Sequence, residues 1–94
     1  MDEVLQQRVI LISGAAGGIG SATADRFAIG GWGVAVTDLA VPGLSDVAER
    51  LERLGRLVGV FPGDLRSVST CREVVRQAVS ATGRLDCLVC AAPW

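Results

Sequence analysis

The sequence predicts an α/β fold in which strands and helices alternate in the order β-α-β-α-β-α-β. Short apolar runs at residues 8–13, 33–38, 56–62 and 85–92 are typical of strands that a sheet buries. Between successive runs lies a segment whose apolar residues recur at helical spacing. Strands that alternate with helices through short connections favour a parallel sheet with right-handed crossovers.

The three segments between the strands each carry the pattern and the end signals of a helix. Residues 18–30 predict the first helix, which ends in a pair of glycines and has spaced residues Ile19, Ala22, Thr23, Arg26 and Phe27. The second helix follows a Pro-Gly turn and ends at Gly55, with apolar residues at positions 44, 47, 48, 51 and 54. The third follows Ser67, a typical N-cap residue, and ends at Gly83, with apolar residues at positions 71, 74, 75, 78 and 81.

Length and charge restrict the kinds of protein that this sequence can be. Its 94 residues suffice for at most one small domain, and 50% of them are hydrophobic, as in a globular chain. The net charge is −1 and the arginines are scattered, so nucleic acid and anionic membrane surfaces are not expected partners. The acidic amino terminus is unlike a secretory signal and no apolar run is long enough to cross a bilayer, which predicts a cytoplasmic protein with no membrane partner.

The cysteines at positions 71, 87 and 90 are too few, and odd in number, for a disulfide framework. Cys87 and Cys90 form a CxxC pattern, which metal and redox sites also use. In a strand, however, residues three apart point to opposite faces, so the pattern favours small hydrophobic residues in a core. A metal site is therefore not expected.

The stretch SGAAGGIG, residues 13–20, joins the first strand directly to the first helix. Glycine permits backbone angles that a Cβ forbids, and it lets a ligand approach the backbone closely. The unpaired N–H groups and the positive end of the dipole at a helix amino terminus favour phosphate or pyrophosphate. A strand, a glycine-rich turn and a helix in this order form the dinucleotide-binding fingerprint, although a tight turn without a ligand has the same pattern.

Asp38 lies at the end of the second strand, 18 residues beyond Gly20. An acid near this distance accepts hydrogen bonds from the adenosine ribose hydroxyls in dinucleotide-binding proteins. Its carboxylate would repel the 2′-phosphate of NADP, and no arginine flanks it, so NAD is the predicted cofactor and partner. Taken alone, an aspartate here is also consistent with a solvated turn or a helix cap.

These residues together resemble the short-chain dehydrogenase/reductase family over essentially the whole chain, but only over the amino-terminal part of that family's domain. Gly14, Gly18 and Gly20 match the glycines of its TGxxxGxG turn, with Ser13 at the threonine position. The resemblance implies a Rossmann-like fold: the amino-terminal portion of a doubly wound parallel sheet, incomplete, with strand order 3-2-1-4. It also implies that residues 1–94 are the amino-terminal half of one dinucleotide-binding domain, with no second domain.

Two further segments carry the resemblance. GDL, residues 63–65, is similar to the segment that holds adenine in the family, which implies that Asp64 faces the exocyclic amine and the Leu65 backbone faces the ring. LDCLVCAAP is similar to the family's LDxLVNNAG and implies cofactor contacts through the backbone and small residues at 90–92. The complete set of implied cofactor-binding residues is Ser13, Gly14, Gly17, Gly18, Ile19, Gly20, Asp38, Leu39, Asp64, Leu65, Cys90, Ala91 and Ala92.

The sequence also departs from the family pattern. Cys90 and Ala91 stand where the family has two asparagines, and Pro93 stands at a glycine position. The glycine turn fits a GxxGxxG spacing as well, which resembles an epimerase-like branch, whereas LDCLVCAA favours the shorter, dehydrogenase-like branch.

The family's chemistry uses a tyrosine as general acid and base, a lysine four residues later, and a serine that orients the substrate carbonyl. This sequence contains no Tyr and no Lys, and all its serines precede the strand that would carry the catalytic one. No catalytic residue is therefore assigned, and the chain is not expected to catalyse alone the family's hydride transfer between nicotinamide and an alcohol or ketone.

Three interpretations remain open from the sequence. The chain is the amino-terminal piece of an NAD-dependent dehydrogenase, an oxidoreductase in its complete form; or it is a non-catalytic nucleotide-binding module; or it has no stable fold of its own. In an incomplete sheet the fourth strand becomes an exposed apolar edge, which favours self-association of such a module.

Overall fold

The structure, a computed structural model, describes residues 7–91. Within them the chain forms strands and helices in strict alternation: β1 (Val9–Ser13), α1 (Gly18–Ile29), β2 (Gly33–Thr37), α2 (Pro42–Arg53), β3 (Leu57–Val60), α3 (Val68–Thr82) and β4 (Cys87–Cys90). The element order predicted from the sequence is confirmed. No helix in residues 7–91 is both long and apolar enough to cross a membrane.

The strands form one parallel sheet in the order β3-β2-β1-β4. The central strand β1 pairs with β2 and β4, so that Ser13 lies beside Thr37 on one side and beside Cys90 on the other. β2 pairs with β3 on its outer side, with a register irregularity after Val34. The predicted strand order 3-2-1-4 is confirmed, and it places the carboxyl ends of all the strands along one edge of the sheet.

The two faces of the sheet are covered unequally. On one face, α1 and α2 pack against alternate residues of β1 and β2, in a core that includes Ile10, Ile12, Val34, Val36, Ala24, Val47 and Leu51. On the other face, α3 covers a smaller cluster of Leu11, Ala35, Val74 and Ala78. Every residue of β1 and β2 is buried, as their uninterrupted apolar runs predict, whereas β4 alternates between half-buried and exposed residues.

The first helix buries different residues from those its spacing indicates. Ile19 is 77% exposed, and the buried positions are Gly20, Ala24 and Ala28. The tight turn after β1 holds α1 close to the sheet, so the face that packs inward is the one with the smallest side chains. A Cβ on Gly20 would already come within 2.7 Å of the Gly14 carbonyl carbon.

Element ends and one cysteine also differ from expectation. α2 begins at Pro42, before the apolar pattern starts at Leu44, because proline suits the first turn of a helix. β4 is shorter than the apolar run 85–92, and Ala92 lies outside the described residues.

The two cysteines of β4 differ in burial. Cys87 packs against the larger core. Cys90 is exposed rather than a core residue, because it lies on the α3 side of β4, where the described residues leave it uncovered.

Candidate nucleotide-binding site

The glycine turn, residues 14–17, connects β1 to α1 at the carboxyl edge of the sheet. Gly14 has φ of 69°, a left-handed conformation that glycine adopts without strain, and its carbonyl accepts a hydrogen bond from the Gly17 N–H at 3.1 Å. Gly20 is required for a different reason, since a Cβ there would overlap the Gly14 carbonyl. These two glycines therefore serve the fold itself.

Gly18 is a glycine for which the fold shows no need. Its φ is not positive, and a Cβ built on it would meet nothing within 4 Å. It stands at the first position of α1, where the sequence prediction places a phosphate group. A glycine beside open space at a helix amino terminus suits the close approach of a ligand to the backbone.

The amino terminus of α1 keeps its N–H groups available. Its N-cap, Gly17, is extended and provides no side-chain hydrogen bond, and the first turn contains no acidic residue. The N–H groups of Gly18, Ile19 and Gly20 have no acceptor within the helix, because the first turn of any α-helix lacks one. Together with the helix dipole they make a positive site for an anion such as a phosphate.

Asp38 follows β2 directly and lies beside the glycine turn. Its Oδ2 accepts a hydrogen bond from the Ala16 N–H at 2.9 Å, and its Oδ1 accepts one from the Leu39 N–H at 2.7 Å. The Ala15 N–H is bonded to the Thr37 carbonyl at 3.3 Å, so two consecutive residues of the turn are attached to the end of β2. The structure thus brings Asp38 to the turn, as the sequence prediction requires.

The segment after β3 reaches the same edge. The Gly63 N–H donates to the Asp38 carbonyl at 2.9 Å, which holds the start of this segment next to β2. Leu65 is half-buried against the smaller core, and its carbonyl accepts a hydrogen bond from the Cys71 thiol at 3.0 Å. Asp64 and Leu65 therefore directly follow a residue whose backbone is bonded to Asp38.

The Asp64 carboxylate already has a partner within this segment. Arg66 donates to it from Nε and Nη2, at 3.0 Å and 2.7 Å, and from its backbone N–H at 3.0 Å. The side-chain hydrogen bonds from Arg66 lower the pKa of Asp64 from 3.8 to about 2. For the implied contact with an adenine amine, Asp64 would use a lone pair that Arg66 leaves free, or exchange the arginine for the ligand.

The end of β4 completes this edge. The Ala91 N–H donates to the Ser13 carbonyl at 3.1 Å, so the chain after β4 stays beside the start of the glycine turn. Ser13 is buried, and its hydroxyl lies 3.5 Å from the Val89 carbonyl, at the limit of a hydrogen bond. Of the small residues expected to contact the cofactor here, Cys90 and Ala91 are at this edge and Ala92 is outside the described residues.

Sequence reasoning missed two contributors to this site. Ala16 acts through its backbone N–H, so its side chain gives no signal. Arg66 binds Asp64 from two residues further along, and only the opposite charges in the DLR triplet point to the pair.

The described residues at this edge offer a site for an anion beside an acceptor for hydroxyl groups. The open helix terminus suits a pyrophosphate, and the carboxylate at Asp38 is an acceptor for hydroxyl groups. Within residues 7–91, no group of three or more His, Cys, Asp or Glu side chains could hold a metal ion. The sequence has no Tyr, Lys or His, so this edge offers binding groups and not the tyrosine and lysine of a proton-transfer pair.

Comparison with known proteins identifies the family. The model of the family described as short chain dehydrogenase matches residues 8–93. Cis-1,2-dihydrobenzene-1,2-diol dehydrogenase of Pseudomonas putida is 42% identical over 87 residues, which are 90% of this chain and 30% of that protein.

Solved structures agree with this match. The 3-ketoacyl-(acyl-carrier-protein) reductase of Brucella melitensis, complexed with NADH, is 31% identical with a TM-score of 0.77, over 86% of this chain and 32% of that one. An actinorhodin polyketide ketoreductase with NADPH is 30% identical with a TM-score of 0.86, over 94% of this chain and 34% of that one. The chain thus spans between 30% and 34% of the length of these relatives. It belongs to the short-chain dehydrogenase/reductase family, matching an amino-terminal portion of its members.

Proposed function

We propose that this chain is the dinucleotide-binding, amino-terminal part of an NAD-dependent oxidoreductase. In this proposal the pyrophosphate lies against Gly17, Gly18 and the first turn of α1, and Asp38 accepts hydrogen bonds from the adenosine ribose. Bound NAD supplies hydride transfer between its nicotinamide and an alcohol or ketone carbon. By itself, the 94-residue chain would bind and orient the cofactor. It would not catalyse the reaction, because the sequence contains neither the tyrosine nor the lysine of the family's chemistry.

The observation that carries this proposal is the open space at Gly18. Gly14 has a conformational need for glycine and Gly20 has a steric one, but Gly18 has neither within the described chain. A ligand that approaches the backbone there accounts for it. The first-turn N–H groups at the same place account for the chemistry of that ligand, an anion.

The choice of NAD over NADP rests on Asp38. The relatives described above hold NADH in one structure and NADPH in the other, so the family leaves the choice open. A carboxylate next to the glycine turn favours ribose hydroxyls and repels a 2′-phosphate. No arginine stands within five residues on either side of Asp38 to neutralise that phosphate.

The remaining site residues would surround the adenine, the ribose and the pyrophosphate. Asp64 and Leu65 would border the adenine, Leu39 and Ile19 are exposed apolar side chains beside the ribose and pyrophosphate positions, and the residues after β4 would contact the cofactor through small groups.

The free thiols of Cys71, Cys87 and Cys90 suit the cytoplasm, where thiols stay reduced.

The test is NAD binding to the 94-residue chain and to Gly18→Val, measured by calorimetry. A branched side chain at Gly18 fills the space assigned to the pyrophosphate, so we expect binding to weaken by about tenfold or more. Ala22→Val, an exposed position on the same helix, adds the same kind of side chain away from the turn and should leave binding unchanged. Equal NAD affinity of the wild type and Gly18→Val would overturn the proposal.

Cofactor choice has a separate test in the same assay. The wild-type chain should bind NAD more tightly than NADP, and Asp38→Ala should reduce that difference. Equal affinity of the wild type for the two cofactors would contradict the ribose role of Asp38.

Urea unfolding tests the interpretation that the chain has no stable fold of its own, because such a chain would show no cooperative transition.

Whether residues 1–94 are half of a longer domain is tested at the DNA level. Sequencing through and beyond the Trp94 codon and translating all three frames should reveal a serine and a YxxxK motif at the family's spacing. Their presence assigns oxidoreductase activity to the longer protein. The absence of the serine and the YxxxK motif in every frame would contradict the dehydrogenase hypothesis and leave a nucleotide-binding module.

The second candidate function is such a module, which self-associates through β4. The observation that favours it is the exposure of this edge strand, where Leu88 is 52% exposed and Cys90 is exposed beside it. An apolar edge strand with unpaired backbone groups is a template for pairing with a second copy. Sedimentation velocity should then show a concentration-dependent dimer that Leu88→Arg abolishes; a monomer at all concentrations would exclude this candidate.

A further inference from the structure

We propose that Asp38 is a positioning residue for the glycine turn, which it holds in the anion-binding shape before any nucleotide arrives. The inference rests on the proposed nucleotide-binding function and adds a second role to a residue assigned there only to the ribose. It starts from the partly buried hydrogen bond between Asp38 Oδ2 and the Ala16 N–H, at 2.9 Å.

The turn needs such a restraint because two of its four residues are glycines. Gly14 is in a left-handed conformation, and Gly17 and Gly18 have no side chain that could fix the backbone by packing. A segment of this composition has many accessible conformations, of which one presents the first-turn N–H groups to a ligand. Contacts to a rigid neighbour select that conformation, and the neighbour here is the end of β2.

The hydrogen bonds of the turn show what Asp38 contributes. The Ala15 N–H bonds to the Thr37 carbonyl at 3.3 Å, and the Gly17 N–H bonds within the turn to Gly14. The Ala16 N–H between them is satisfied by the Asp38 carboxylate, in a charge-assisted bond. Without this carboxylate, the 3.3 Å bond of Ala15 would be the remaining hydrogen bond from the turn to the end of β2.

Electrostatics alone predicts the opposite effect on a small anion. Asp38 carries a negative charge beside a site for phosphate, so its removal should strengthen the binding of an anion that has no ribose. If Asp38 instead holds the turn in shape, its removal should weaken that binding. The sign of the change therefore separates the positioning role from a role in ribose binding.

The probe is inorganic pyrophosphate, titrated into the 94-residue chain while the amide signals of residues 17–20 are followed by NMR. We expect Asp38→Ala to weaken pyrophosphate binding by about tenfold, the effect of losing one charge-assisted hydrogen bond. Asp38→Asn keeps an acceptor oxygen without the charge and should bind at least as tightly as the wild type. Asp46→Ala removes the same charge from an exposed position on α2 and serves as the matched control.

Hydrogen exchange of the Ala16 amide gives an independent readout in the unliganded protein. Exchange should be slow in the wild type and in Asp38→Asn, and fast in Asp38→Ala, while the amides of β1 stay protected in all three. If Asp38→Ala fails to fold, fast exchange at Ala16 relative to Ala15 in the wild type still overturns the inference, and slow exchange supports it.

The outcomes also separate this inference from the proposed function. A wild-type chain that binds neither NAD nor pyrophosphate would refute the nucleotide site itself. A wild-type chain that binds both, together with an Asp38→Ala variant that binds pyrophosphate as well or better, would leave the site intact and overturn the positioning role.

Discussion

Within residues 7–91, three turns join a strand to a helix at the same edge of the sheet, and two of them treat the helix amino terminus in opposite ways. In the β3–α3 turn, Ser67 caps α3, and its Oγ accepts a hydrogen bond from the Thr70 N–H at 3.4 Å. In the β1–α1 turn, Gly17 offers no side chain and the first N–H groups of α1 remain free of any cap. In the β3–α3 turn a side chain therefore satisfies one N–H group of the helix terminus, whereas in the β1–α1 turn no capping side chain competes with a ligand for these donors.

The aspartates that serve the two turns also have different partners. Asp64 in the β3–α3 turn is bound by Arg66, an ion pair formed within three residues. Asp38 reaches across from another strand to the β1–α1 turn and bonds a backbone N–H there. An anion at α3 would have to displace the Ser67 hydroxyl, whereas at α1 it meets no capping side chain, so the contrast favours α1 over α3 as the anion site.

The largest expected effect compares Gly20, near the start of α1, with Gly63 in the β3–α3 turn. In Gly20→Ala the new Cβ would overlap the backbone carbonyl of Gly14, which cannot move without disrupting β1, so we expect a loss of about 3 kcal/mol in unfolding free energy. In Gly63→Ala the new Cβ would meet the end of the Thr70 side chain at 2.7 Å, which can rotate, and the loss should be about 1 kcal/mol. Urea unfolding measures both; equal losses would show that Gly20 is not a site of close backbone approach.

Exchanging the two caps should change ligand binding by a smaller amount. Gly17→Ser gives α1 a hydroxyl that competes for the first-turn N–H groups, so NAD binding should weaken by about fivefold while stability rises by a few tenths of a kcal/mol. Ser67→Gly removes the existing cap of α3 and should lower stability slightly without altering NAD affinity. Calorimetry and unfolding on both variants check the exchange, and a Gly17→Ser variant with unchanged NAD affinity would show that these N–H groups do not hold the ligand.

The smallest expected effect concerns pH. Because the folded-state pKa of Asp64 is lowered to about 2 from a usual value of 3.8, its pairing with Arg66 favours the folded protein above about pH 4, and this contribution is lost as the pH falls towards 2. Arg66→Ala should return the pKa of Asp64 towards 3.8. An NMR titration of the Asp64 carboxyl measures the change; a pKa unaltered by the substitution would mean that the pair does not persist in solution.

The sequence predicted the central sheet more accurately than the surface of the first helix. Uninterrupted apolar runs identified β1 and β2, because strands buried on both faces require apolar residues at every position. The helical spacing of residues 18–30 did not identify the buried side of α1, because that side consists of Gly20, Ala24 and Ala28, which carry little hydrophobic signal. For Cys90 the strand pattern predicted a core residue and the incomplete sheet predicted an exposed edge; the second prediction holds, since periodicity cannot tell which part of a sheet lacks a covering helix.

By itself, the sequence determined the order of strands and helices, the glycine turn between β1 and α1, and an acid at the end of β2. These features are local, and they depend on periodicity and on residues that start or end an element within a few positions. Only the tertiary structure decided that Gly18 faces open space while Gly20 meets a carbonyl, and that Asp38 bonds Ala16, 22 residues earlier in the chain. Such contacts join segments far apart in sequence, and packing the helices on the sheet sets the distances between them.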